Sequence, residues 1–183
     1  MTGETKCASR LVLALLGVVG TFLPAAAVAQ TGQGAAEAVI VTRLSLIKDD
    51  DLEFGTMLAG PTAGTVVVPP SGARTRTGGV ILVGNTFHAA RFAGYGRQNQ
   101  NVRISINANV LTLNRVGGGA TMQVDTWVIG STPTAPITTA PRTFRIASPT
   151  GIFNFPLGAS LRVGANQRPG TYAGTFTITL NYQ

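Results

Sequence analysis

The chain has 183 residues, and its 14 Lys+Arg outweigh 7 Asp+Glu, yet only 11% of residues are charged. The cations are nearly all arginine and lie scattered, whereas a nucleic-acid surface clusters them beside exposed aromatics, so no nucleic-acid partner is expected. With 23 glycines and 10 prolines set between short Val/Ile/Phe/Thr segments, the composition predicts one all-β domain with many turns, and nothing after residue 30 has a convincing helical period.

The N-terminus reads as a targeting segment. MTGETKCASR supplies Lys6 and Arg10, LVLALLGVVGTFL is an apolar core, and Ala27-Val28-Ala29 offers a small-residue cleavage site before Gln30. Residues 1–29 are therefore expected to be a signal peptide. The alternative, a membrane anchor, suffers from Pro24 and the small-residue tail that interrupt the apolar run, so no membrane span is expected in the mature chain. The chain is therefore expected to be exported. Cys7 leaves with the signal, which gives the mature chain no cysteine and makes it depend on a hydrophobic core rather than disulfides.

Residues 30–42 follow as a polar, flexible leader (QTGQG) running into an alternating segment, and residues 43–183 form the expected sandwich domain. From Ala36, the positions Ala36, Ala38, Ile40, Thr42, Leu44 and Leu46 make a mostly apolar face, one long strand or two that end at KDDD. Next come a short strand at Leu52–Gly55, a strand GTVVVPP stopped by Pro69 and Pro70, and SGARTRTGG, read as a polar loop leading into Val80–Val83. Phe87–Phe92 is a short strand. Val102–Val110 alternates, with Val102, Ile104, Ile106 and Ala108 inward. The glycines at 117–119 precede the strand ATMQVDTWVIG, STPTAPITTAP is a loop, and RTFRI, IFNFPLGASLRV and a C-terminal strand complete nine or ten strands. This spacing of strands and turns is that of a β-sandwich.

Candidate chemistry is sparse. His88 is the single histidine, and a Ser-His-Asp site would need it together with Asp125 or one of Asp49–Asp51. No nucleophile-elbow motif accompanies it, so a packed or surface side chain is expected. One histidine and a mature chain without cysteine leave zinc without ligands. Asp49-Asp50-Asp51-Leu52-Glu53 could attract Ca2+ but lacks the ligand spacing and internal glycine of a calcium loop, and reads as a solvated turn. VGGGA and RTGGV each lead into a strand rather than a helix, and so read as turns, not phosphate cradles. Trp127 reads as core. Neither an enzyme nor a cofactor is expected.

The strongest pattern is GTYAGTFTITLNYQ at the C-terminus. Tyr172, Gly174, Phe176, Ile178, Leu180 and Tyr182 alternate with Thr175, Thr177 and Thr179, predicting one strand with a buried face. Gly170 is the fourteenth residue from the C-terminus and Tyr182 the penultimate one. This combination resembles the C-terminal signature of fimbrial subunits assembled by the chaperone–usher pathway. More widely, LEFGTMLAG, the RTRTGGV loop and RPGTYAGTFTITLNY resemble a family of small exported bacterial proteins classed as domain of unknown function 4402, itself similar to spore-coat-U-type and fimbrial subunits.

The resemblance implies an immunoglobulin-like β-sandwich that lacks its final strand and is completed in trans by a donor strand. It also implies a periplasmic chaperone, an usher and like subunits as partners. Gly170, Tyr172, Gly174, Phe176, Ile178, Leu180 and Tyr182 would then form the chaperone and subunit interface. The disulfide of many classical pilins has no counterpart here. Ala36, Ala38, Ile40 and Thr42 are the candidate donor face, although the same stretch reads equally well as the first strand of its own sandwich. Two functions remain open: a structural or adhesive subunit of a surface fibre or coat, and a self-contained secreted sandwich that binds a surface component or carbohydrate.

Overall fold

The structure is a computed structural model, which describes residues 45–183. The expected signal peptide and the donor candidates Ala36, Ala38, Ile40 and Thr42 lie outside the described residues. Within them the chain forms twelve strands. The first six are β1 (Ser45–Asp50), β2 (Thr56–Val68), β3 (Thr75–Val83), β4 (Ala90–Tyr95), β5 (Asn101–Ile106) and β6 (Leu111–Arg115). The others are β7 (Thr121–Ile129), β8 (Ala135–Pro136), β9 (Arg142–Arg145), β10 (Ile152–Val163), β11 (Tyr172–Ala173) and β12 (Ile178–Tyr182).

These strands make two antiparallel sheets around one core, a β-sandwich. The larger runs β1-β4-β10-β7-β6-β11, with β2 and β3 continuing from β10 and β8 beside β7; the smaller is β12-β5-β9. Strand β10 is the organiser. One of its edges pairs with β4 through Ile152–Leu157 and then with β2 through Ala159–Val163, while the other edge pairs with β7. Leu157–Leu161 is buried on both faces and reads as a nearly continuous apolar run. The alternation of β5 delivers Val102, Ile104 and Ile106 to the core from the smaller sheet, at 2–3% exposure.

A bulge sets the phase of β7. Val128 pairs with Gly158 but Asp125 pairs with Ser160, so Thr126 and Trp127 together oppose one residue of β10. Thr126 takes φ of 54°. Simple alternation from Val124 would turn Trp127 outward; the bulge turns Trp127 and Ile129 inward instead. Trp127 is core, as its neighbours in sequence imply.

Several segments depart from the sequence reading. Leu52–Gly55, expected as a strand, contributes the isolated Glu53–His88 bridge; the strands expected at Phe87–Phe92 and Val102–Val110 are Ala90–Tyr95 and Asn101–Ile106, so Ala108 lies beyond β5; and Leu111–Arg115 and Ala135–Pro136, the latter within the expected loop STPTAPITTAP, are strands. Thr75–Gly79, expected to be loop, is part of β3, because its backbone pairs with Gly64–Val67 while Arg76 and Thr77 project into solvent. Polar side chains on both exposed positions hid a strand whose stabilisation comes from the ladder. The C-terminal segment is not one strand. Tyr172–Ala173 pairs with β6 in the larger sheet, and Ile178–Tyr182 pairs with β5 in the smaller one. Consecutive strands β5 and β6 lie in different sheets, so a segment that follows both must change sheets between Gly174 and Thr177.

Candidate functional site

The change of sheet leaves a groove. One wall is Asp51–Ala59 and the other is Gln167–Gly174, and the groove encloses about 810 Å³. Leu113, Met122, Val124, Trp127, Leu161 and Phe176 are among the side chains that line it, which makes the floor part of the hydrophobic core. In an ordinary sandwich a strand would cover such a floor.

Sheet topology explains why no described strand lies along it. Strand β2 pairs with β3 through Thr56–Ala59 and, after a register shift, Gly64–Val67, but β10 covers the other edge only from Gly64 to Val68. The first half of β2, Thr56–Ala59, therefore presents its second backbone edge to the groove. Across from it, β12 has one sheet neighbour among the described residues, β5. Phe176, Ile178, Leu180 and Tyr182 pack against the core, yet each is only half-buried, while Val102, Ile104 and Ile106 on the adjacent β5 are fully buried; Tyr172, also half-buried, donates its hydroxyl to Arg168 O at 2.6 Å. The apolar face of the terminal segment is in place but incompletely covered.

The walls are pinned locally. Arg74 reaches across from β3's approach, and its Nη1 donates to the carbonyls of Phe54 (2.8 Å) and Thr56 (3.2 Å). Its Nη2 donates to Gly84 (2.7 Å) and Val83 (3.3 Å), and the guanidinium sits 4.5 Å from the Phe87 ring centroid. Glu53 and His88 exchange both backbone hydrogen bonds, and His88 Nε2 lies 3.2 Å from Glu53 Oε2. The partner of His88 is thus Glu53, not Asp125 or Asp49–Asp51, and its Nδ1 is buried without a hydrogen-bond partner. Asp125 instead pairs with Arg162 at 2.9 Å; this hydrogen bond, with the carboxylate charge behind it, holds the Arg162 guanidinium above its ordinary pKa. Lys48 pairs with Asp51 at 2.6 Å, and Arg91 lies 3.8 Å from Asp50. No group of three or more His, Cys, Asp or Glu side chains converges among the described residues.

The second wall depends on two glycines. Gly170 has φ of 146°, a conformation that side chains rarely adopt, and a Cβ there would meet Arg115 Nε at 2.5 Å. That nitrogen is already donating to Pro169 O at 2.7 Å. Gly174 lies against β6, where a Cβ would stand 2.8 Å from Leu113 Cδ2. Gly170, Tyr172, Gly174 and Phe176 thus belong to the groove lining, whereas Ile178, Leu180 and Tyr182 continue the same face along β12. The opposite wall at Asp51–Ala59 and the floor strand β6 went unrecognised as site residues in the sequence. The apolar alternation Leu111/Leu113 was the signal for β6.

Fold and groove together define an all-β sandwich with a groove along one edge, where Leu113, Met122 and Phe176 are half-buried above Val124, Trp127 and Leu161 at 1–3% exposure. The family model described as a domain of unknown function (DUF4402) matches residues 44–182, and the chain belongs to that family. No curated protein matches it.

Proposed function

We propose that the chain is a structural or adhesive subunit of a surface fibre or coat, exported through its N-terminal segment and assembled by chaperone-dependent donor-strand complementation. The groove between Asp51–Ala59 and Gln167–Gly174, floored by core side chains, is the observation that carries this reading. An extended segment laid there would find a backbone edge on β2 and an apolar floor, the two requirements of β-augmentation. Left empty, such an edge favours aggregation, which is the physical reason for a periplasmic chaperone before assembly and an usher to release the subunit. The resemblance to fimbrial subunits supports the same assignment, with like subunits as the final partners.

The test is removal of the leader. Deleting residues 30–42 from the secreted chain should abolish high-molecular-mass polymer while the domain still co-purifies with its chaperone. Polymer of undiminished length from the shortened chain would overturn the proposal.

A further inference from the structure

Resting on that reading, we propose that the groove takes residues 36–43 of a second copy in one direction only, parallel to the Gln167–Phe176 wall and antiparallel to the Asp51–Ala59 wall. Charge sets this polarity. Asp51 and Glu53 line one end, where Lys48 and His88 are their neighbours, and Asp49 and Asp50 precede them at the end of β1. The other end is closed by the hydrogen bond from Asn166 N to Gly60 O (2.8 Å) and carries Arg168, with Arg115 bonded to the adjacent Pro169 carbonyl. The groove is acidic at one end and cationic at the other.

The leader AAEAVIVTR carries the complementary pattern. With Ala36, Ala38, Ile40 and Thr42 turned to the floor, Glu37 and Arg43 share the opposite face. As an extended strand they are ~20 Å apart, comparable to the run from Glu53 to Ala59. In the proposed direction Arg43 meets the Asp51/Glu53 rim, and Glu37 meets Arg168. Asp51, Glu53 and Arg168 are all exposed on the solvent side, Asp51 beside Lys48 and Glu53 beside His88. The reverse direction sets Glu37 against the acids and Arg43 against Arg168, two like-charge contacts in place of two attractive ones.

Chain length makes the donor a second copy. Ser45 is paired with Tyr95 and Glu53 with His88, so the extended chain from His88 to Tyr95 separates them by ~20 Å. Arg43 is two residues before Ser45 and can reach only ~7 Å from it along the backbone. Its own leader cannot place Arg43 at the acidic rim. A contact between different patches on successive copies is head-to-tail and does not close, so it propagates a filament.

Directional cross-linking tests this in the full chain, secreted by its native host, on a Cys7→Ser background. Val41→Cys with Glu53→Cys should give an intermolecular disulfide ladder, and Val41→Cys with Arg168→Cys should not. A ladder only from the Arg168→Cys pair would overturn the polarity while leaving donor-strand assembly standing. A disulfide within a single copy would overturn the second-copy donor. Polymer without either ladder would overturn the occupant, and a chain that stays monomeric with no cross-link would overturn the assembly reading as well. In a separate pair of variants, Arg43→Glu should slow polymer growth about fivefold. Adding Asp51→Arg should restore it, and failure to restore it would overturn the role of charge.

Discussion

Trp127 and Phe176 stand 4.8 Å apart between ring centroids at a 46° tilt, the first buried in β7 and the second half-buried on the terminal segment. Phe176 also meets Phe92 edge-on at 6.3 Å. This contact fastens the point at which the C-terminal segment leaves one sheet for the other. It also makes Phe176 both core and groove floor.

Phe176→Asp should therefore affect stability and recognition together. Placing a carboxylate against Trp127 and Phe92 should cost at least ~2 kcal/mol of unfolding free energy, read from a denaturant midpoint. Phe176→Leu, which keeps an apolar side chain, should cost less and retain chaperone co-purification. Undiminished chaperone capture by the Asp variant would argue that this face is not the recognised edge.

Arg74→Lys should loosen the opposite wall. A single ammonium cannot reproduce the fork that binds the carbonyls of Phe54, Thr56, Val83 and Gly84. The expected loss is ~2 kcal/mol, with faster amide hydrogen exchange concentrated at Glu53 and His88, whose paired amides join the two pinned segments. Exchange accelerated uniformly over the domain would mean that Arg74 acts on global stability alone.

Gly170→Ala should destabilise by ~2 kcal/mol, since an alanine there is strained at φ of 146° and also drives into Arg115. Gly72→Ala is the matched control. Gly72 also has positive φ, 85°, but a Cβ there meets nothing within 4 Å, so its cost should stay near ~1 kcal/mol. Equal losses from the two variants would show that the clash with Arg115 is relieved by movement of the side chain.

Thr126→Gly should leave stability unchanged or raise it by up to ~1 kcal/mol. A β-branched residue at φ of 54° is strained, and glycine removes that strain at some entropic cost. Tryptophan fluorescence should be preserved, because the bulge and not the threonine side chain turns Trp127 inward. A red-shifted emission in a folded variant would show that the bulge had been lost.

Much of the fold was legible as period-two alternation. The bounds of β10 coincide with the apolar run IFNFPLGASLRV, and the inward set of β5 is the one its sequence names. Strands β3 and β6 were harder. Thr75–Gly79 carries Arg, Thr and Gly, which have no burial to advertise, and its strand exists through pairing with Gly64–Val67. Leu111–Arg115 begins directly after the Val102–Val110 alternation and carries two apolar side chains, Leu111 and Leu113, too few to mark a strand of their own, and it pairs in the other sheet.

The groove shows the same division. Alternation alone determined that Tyr172, Phe176, Ile178, Leu180 and Tyr182 face one way, because successive side chains of an extended backbone must point to opposite sides. Which strands they meet was decided only in three dimensions. The segment follows β6 and then β5, and those strands diverge into separate sheets, so it crosses between them at Gly174–Thr177. On the far side, β10 reaches β2 only from Gly64 onward, which leaves Thr56–Ala59 with an open edge. A one-dimensional pattern records which face is apolar; whether another strand covers it depends on contacts between residues a hundred positions apart.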